Sequence, residues 1–509
     1  MASRRDELNA YTFAKRRTLA SFIQPSPSGS EEGAPRPLRG VVPGLIVGVI
    51  VLAVFGAWGM FKPAAKPGWD KPKEHVIIAS KSTTRYVVLK TNGKRQLHPV
   101  LNMASAKLLL DADKSDVINV DESVLDKGKI PHGATIGIPY APDRLPSESE
   151  AGAAKRWAVC ERPGEGGRAI QKAAFILAER DQKKTEGSER LRGGELLYVV
   201  GPDKVRYVVD ARGRAYRIAE KDHLSVLLRT IVDRGHEPQR VSSEWLKTLH
   251  HGDPIAFPKV KGVPGAAAHV KGLQDRRANK VGMVLKASEG AGTQHYVVEP
   301  GRIAPISDFT ATLLLGSPDL VAVGQDGNAR SLSTGAFTPD LKAFGSEYTW
   351  PSQDPATANE ASENAGSRNT ICNVLRKVDD EGDTTLSTWA GTDFPATLPT
   401  GSSSAYVTAG SGLLYRQFTG SETKAGSVFL ATDTGLRYAM QSNSDSATDD
   451  AGIGTSAKQR KQQQQEARQS QTRLGYANVD ATPVPAPWST FLPTGPRLST
   501  SAARQPQGS

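Results

Sequence analysis

The sequence predicts an α+β protein. It reads as a single N-terminal transmembrane helix and an elongated extracytoplasmic region, with a β-rich central domain and four small hairpin–helix repeats. Three observations carry this. One uncharged apolar run of 22 residues stands near the N-terminus. A Tyr-Val-Val strand followed by a glycine turn returns along the rest of the chain. The composition, with 49 Gly, 33 Pro and only 6% aromatics in 509 residues, suits a loop-rich, sheet-containing protein of two or three cores. It excludes a polytopic membrane protein, a collagen and a wholly disordered chain.

Residues 1–39 form a tail. Leu8, Tyr11, Leu19, Phe22 and Ile23 fall on one side of a helical wheel, with Arg16 and Arg17 elsewhere, so a short basic amphipathic helix is expected. Leu8, Tyr11, Arg16 and Arg17 are its candidate docking residues for a partner or anionic lipid. The alternative is a solvated helix whose charges only fix topology. Residues 24–39 have the composition of a flexible linker.

Gly40 to Phe61 is the expected membrane span. It lies between Arg39 and Lys62, and at 1.5 Å per residue it reaches roughly 33 Å, enough for a hydrocarbon core of about 30 Å. A cleaved signal would be shorter and end in small residues, whereas Met60, Phe61, Lys62 and Pro63 follow here. Basic residues on both flanks leave orientation undecided by charge. Residues 62–78 read as a second linker.

The repeats are expected over 79–145, 191–265, 266–335 and 426–509. Their landmarks are Tyr86-Val-Val, Tyr207-Val-Val, Tyr296-Val-Val and, weakest, Phe429-Leu-Ala, each followed by a turn with Gly and a further strand. Helical stretches follow at Met103–Leu110, Leu224–Val232 and Ser307–Leu315. The first two repeats then show tracts at Val124–Ile138 and Val241–Ile255 that contain His132-Gly133 and His251-Gly252. Irregular spacing argues against a stacked solenoid.

The intervals 150–190 and 336–425 are expected to meet as one central domain, and each contains one cysteine, Cys160 and Cys372. Outside a bacterial membrane the two are expected to be bridged; in a cytosolic domain they would be two buried thiols. Asn443–Gln471, with its Gln-rich stretch, is expected to be disordered, and the last dozen residues to fray.

Catalytic patterns are missing. No G-x-x-x-x-G-K-[ST] loop, H-E-x-x-H or Gly-x-Ser-x-Gly occurs. Gly420-Ser-Glu-Thr-Lys424-Ala-Gly426 has its lysine before the second glycine. His250-His251 cannot share a helix face as metal ligands. Asp379-Asp380-Glu381-Gly382-Asp383 reads as a solvated hairpin turn rather than a calcium loop. The +11 net charge is scattered along the chain, which argues against nucleic acid as partner. The residues alone give a bitopic protein with an outer binding or assembly domain, without a metal or cofactor.

Several stretches, taken together, resemble the EccB family of type VII (ESX) secretion systems. These are Arg5-Asp-Glu-Leu-Asn-Ala-Tyr11-Thr-Phe13 with Arg16-Arg17, Arg36-Pro-Leu-Arg39 before the membrane run, and His98-Pro-Val-Leu-Asn-Met-Ala-Ser-Ala106. Trp157-Ala-Val-Cys160 with Ile371-Cys372, and Leu492-Pro-Thr-Gly-Pro496-Arg-Leu, complete the set. The Gln-rich tract departs from the family pattern. The resemblance implies a Cys160–Cys372 bridge and repeats similar to phage-lysin wall-binding modules. It implies a single-pass cell-membrane protein with a cytoplasmic N-terminus, which oligomerises through its outer domain and assembles with EccC, EccD and EccE. It also implies an ATPase label, and hence ATP as a possible cofactor, for which no residues here account. The outer region is expected to hydrolyse ATP slowly or not at all. The first reading is thus a structural subunit of the secretion membrane complex; an ATP-hydrolysing subunit and a tethered cell-wall binder are the alternatives.

Overall fold

The computed structural model describes residues 3–23, 38–60 and 65–507, apart from 441–456 and short loop stretches at 113, 115, 128, 165–168, 220–222, 290–291, 363, 365 and 400–403. Two bodies are distinguished, Met1–Pro67 and Gly68–Ser509.

The first body holds two helices. Arg4–Ile23 is a single helix of 20 residues with no buried side chain. It is longer than the short amphipathic helix expected, and its faces are not segregated. At 100° per residue, Arg4 and Lys15 fall among Leu8, Tyr11, Leu19 and Phe22. The apolar helix runs Leu38–Met60, and the described residues of its apolar stretch Gly40–Ala57 bury nothing. It starts two residues before the expected span, so Pro43 is interior and deletes one main-chain hydrogen bond. Phe61, the expected end of the span, lies outside the described residues.

Among the described residues the second body contains five sheets, four of which share one order. In the first, Lys94–Val100 pairs with Arg85–Thr91, that with His75–Ala79, and His75–Ala79 with Asp116–Val120 in parallel. The same 3-2-1-4 order, with the fourth strand parallel to the first, is built from Glu195–Val200, Arg206–Asp210, Arg214–Arg217 and Gln239–Arg240. It recurs in Val284–Glu289, Gly292–Glu299, Arg302–Ile306 and Arg330–Ser331. The fourth instance is Gly412–Phe418, Ser427–Thr432, Arg437–Ala439 and Thr482–Pro485. Every turn from second to third strand places a glycine at positive φ, namely Gly93, Gly213, Gly301 and Gly435, at 74–78°. A Cβ would resist that conformation, and it matches the twist of a tight hairpin.

A helix crosses from third to fourth strand in each sheet: Met103–Leu109, Leu224–Ile231, Asp308–Gly316 and Ala457–Leu474. The Pro99-Val-Leu-Asn-Met-Ala-Ser-Ala tract shows why these residues are needed. Asn102 caps the first crossover helix by accepting from Ser105 N–H, and its amide donates to Ile138 O (2.8 Å). Ser105 Oγ accepts in turn from Ile138 N–H (2.8 Å), so two buried polar groups pin the returning chain.

Sequence expectation and structure part at five places. The first sheet begins at His75, inside the expected linker. The fourth begins at Gly412, inside the expected second half of the central domain, because its landmark Phe429-Leu-Ala lies on the second strand. The third unit runs past 335, since Asp340 and Phe344 donate to Ile303 O and Pro305 O. Residues 457–471, expected to be disordered, lie in the fourth crossover helix, Ala457–Leu474. Gln, Lys, Arg and Ala favour helix, and Ala467, Ser470 and Leu474 are buried on the side that packs on Met103–Leu109. Residues 443–456 lie outside the described ones. The expected frayed end is ordered too. Leu498 and Ala503 are fully buried, and Gln507 donates to Thr135 O and Gly137 O in the first unit.

The fifth sheet is the centre. Its order is Thr384–Gly391, Thr370–Val378, Arg156–Arg162, Gln171–Leu177 and Ala405–Val407, drawn from two stretches far apart in sequence. One face shares a core with the second and fourth units through Trp157, Val159, Ile176, Leu197, Trp245, Tyr415 and Trp488. Trp157 meets Tyr415 edge-on at 5.4 Å. The first and fourth units share another core, in which Leu108, Leu430, Tyr476 and Leu498 meet. The second and third units join through Tyr198, Ile231, Phe309 and Leu313.

Candidate functional site

Of the sequence-derived docking residues, Leu8, Tyr11, Arg16 and Arg17 all lie on the exposed helix Arg4–Ile23, with Leu8 and Tyr11 64% and 68% exposed. Gly40 sits on the apolar helix, in its exposed stretch. Cys160 and Cys372 are bridged (2.03 Å) across neighbouring antiparallel strands whose Cα atoms stand 4.0 Å apart. Both are fully buried beneath Phe175, Val374 and Trp389. The bridge therefore ties the two halves of the central sheet at the register position where they face each other.

His250 and His251 lie on a two-residue strand parallel to Arg214-Ala215, with His250 Nε2 at 2.7 Å from Thr384 Oγ1. Burial pushes the His250 imidazole down from its ordinary value, so it holds its bond uncharged. Asp379–Asp383 is a turn closed by Asp379 Oδ1 accepting from Asp383 N–H. Among the described residues no cluster of His, Cys, Asp and Glu could hold a metal. Gly420 to Gly426 is a loop between two paired strands, and a Cβ on Gly426 would meet Gln417 O.

Two features escaped the sequence reading. One is a recurring closure. After its fourth strand, each unit sends a further segment back along its third strand. Gly133 N–H donates to Leu97 O (3.0 Å), Gly252 to Ala215 O (2.9 Å), and Gly495 to Arg437 O (2.8 Å). In each case a Cβ on that glycine would enter the ring of the next third-strand residue, His98, Tyr216 or Tyr438. In the third unit Asp340 N–H makes the equivalent bond to Ile303 O (2.7 Å), and the next residue is Ala304. Where the ring is missing, so is the glycine. The signal available was the paired His-Gly tracts, which align with Thr494-Gly495.

The other feature is electrostatic. Glu186 accepts from Arg156 (2.5 Å), Arg376 (2.9 Å) and Arg190 (2.8 Å). Burial alone would raise its pKa, but hydrogen bonds from Arg376 and Arg190 outweigh it and bring the carboxyl down to about 2. The folded value lies below the unfolded one, so the stabilisation is complete above about pH 4.5 and fades as pH falls toward 2. The side chain is 31% exposed, so a solvent-discounted worth is ~1–2 kcal/mol. Urea midpoints at pH 6 and pH 3 should show Glu186→Gln clearly less stable than the wild type at pH 6, with the gap narrowing at pH 3. An equal gap at both would show that the carboxylate is not what titrates.

A family model described as type VII secretion system ESX-1, transport TM domain B, matches residues 1–508. The chain is similar to the ESX-1 secretion system ATPase EccB1 of Mycolicibacterium smegmatis (strain MKD8), 25% identical over 279 residues, 54% of this chain and 54% of that protein. It therefore spans about half the length of the first curated relatives it matches. The ESX-3 secretion system ATPase EccB3 of Mycolicibacterium smegmatis (strain ATCC 700084 / mc(2)155) is 25% identical over 502 residues, 91% of this chain and 82% of that protein. Among solved structures, a chain of an EccB3 dimer from the ESX-3 core complex shares the fold at TM-score 0.55 and 21% identity, covering 84% of this chain and 99% of that one. A chain of an intact ESX-5 inner membrane complex does so at 0.55 and 18%, covering 100% and 96%.

Proposed function

Because the chain belongs to the EccB family of type VII secretion systems, we propose that it is a structural, membrane-anchored subunit of a type VII secretion membrane complex. The observation that carries this is the pairing of one exposed, membrane-length apolar helix with an outer body whose sheets brace one another through shared cores. Such a body suits holding neighbours in place. We read its four like-ordered sheets as diverged copies of one unit, set around the disulfide-pinned central sheet. The N-terminal helix faces the cytoplasm in this reading, with residues 62–509 outside, since a thiol pair in the cytosol would be kept reduced. Leu8, Tyr11, Arg16 and Arg17 then offer a cytoplasmic docking helix to the EccC, EccD and EccE components, and the outer body pairs with further copies of itself. The ATP hydrolysis carried in the relatives' names is the competing reading.

Affinity purification from membranes, with mass spectrometry of co-eluting proteins, tests the assignment. The other secretion components should co-elute, and protease added to intact wall-stripped cells should degrade the outer body. Elution as a lone chain would overturn the subunit reading. Full protection of residues 62–509 would overturn the topology.

A further inference from the structure

The Glu186 cluster carries more positive charge than it needs. Arg156 and Arg376 come from neighbouring strands of the central sheet, where Val374 faces Ala158 and the pairing of Thr370–Val378 with Thr384–Gly391 shifts register between Leu375 and Lys377. The irregularity falls at Arg376, whose Nε donates to Ser387 Oγ (2.7 Å). Like charges on adjacent strands repel, and three guanidiniums here share one carboxylate. Burial, and then Arg376, push Arg156 below the ordinary arginine range, which records the crowding.

One buried donor of the cluster is unspent: Arg376 Nη2 has no acceptor among the described residues. A buried donor without an acceptor is costly, so such a donor marks a place that a ligand or ordered water completes. Arg156 and Arg376 keep 17% and 16% of their side chains open to solvent, and Arg190 keeps 37%, so the cluster is reachable.

We propose that Arg156, Arg190 and Arg376 form a binding site for a phosphate dianion, with Glu186 as the internal carboxylate that holds the arginines together until the ligand arrives. Two unbalanced positive charges match a dianion, and planar guanidinium forks suit phosphate oxygens. The phosphate is either free or the exposed monoester of a lipid headgroup.

Titration calorimetry of the purified full chain in detergent, with inorganic phosphate against chloride at matched ionic strength, tests this directly. Vesicles containing phosphatidic acid form the second arm and distinguish the headgroup source from the free one. Saturable binding in either arm is expected. Arg190→Gln, the most exposed of the three, should weaken it by about tenfold or more, the worth of one charge-assisted bond. Glu186→Gln should tighten it, because the competing carboxylate is gone. A purely structural cluster would not respond that way. Binding in neither arm, or binding unchanged by Arg190→Gln in a variant that still unfolds cooperatively, overturns the site. If Arg376→Gln fails to fold, the Arg190 and Glu186 variants still decide the matter.

Discussion

Replacing Cys160 and Cys372 together by alanine is expected to cost the second body about 3–5 kcal/mol. The two strands they join come from stretches separated by 212 residues. In the loop-entropy account, a cross-link over that separation is worth about 5 kcal/mol at most. Both side chains are fully buried, so the alanines add a small packing loss. The cross-link also sits at the Arg156–Arg162 and Thr370–Val378 pairing, where no turn holds the strands together. Equilibrium urea unfolding with and without reductant should therefore show the wild type under reduction moving toward the double variant. An unchanged midpoint in both would mean that the central sheet holds its halves without help.

A single methyl group at Gly252 is expected to have an effect of similar rank. Its Cβ would enter the ring of Tyr216. That ring cannot swing aside, because its hydroxyl is held between two acceptors, Asp210 Oδ2 (3.0 Å) and Thr349 O (2.8 Å), and the residue is 2% exposed. Overpacking of this kind costs ~1–3 kcal/mol, and the loss of the Gly252 N–H bond to Ala215 O would add to it. The third unit, where Asp340 faces Ala304, supplies the control. In a Tyr216→Ala background, Gly252→Ala should cost little, so the double-mutant cycle should show a coupling of about 1–3 kcal/mol. Additive losses would mean that the glycine serves the backbone alone.

Much of this architecture could be read before any coordinates. The apolar run announced its helix, and the Tyr-Val-Val strands, with Phe429-Leu-Ala in the fourth unit, and their glycine turns marked the middle of each unit. Three crossover helices fell within a residue or two of expectation. The first strands of units one and four were missed because His75–Ala79 and Gly412–Phe418 lack the landmark and carry no turn signal of their own. Ala457–Leu474 was missed for a different reason: polarity governs whether a segment can order alone, and this helix is ordered by a partner through small residues on one side. The arginine cluster was invisible because residues 156, 186, 190 and 376 meet only once the two halves of the central sheet have paired.

The C-terminal segment has a consequence in time. A chain made from its N-terminus finishes the strands of the first unit early, yet the groups that cover that unit's crossover helix come from far later stretches: Ala467, Tyr476, Leu498 and Ala503. That helix therefore stays uncovered until these residues have been made, and pairings this distant in sequence are slow to form. A chain without residues 457–509 would lack these partners of Leu108, Leu109 and Leu430, and the apolar surface so exposed would make it prone to aggregate.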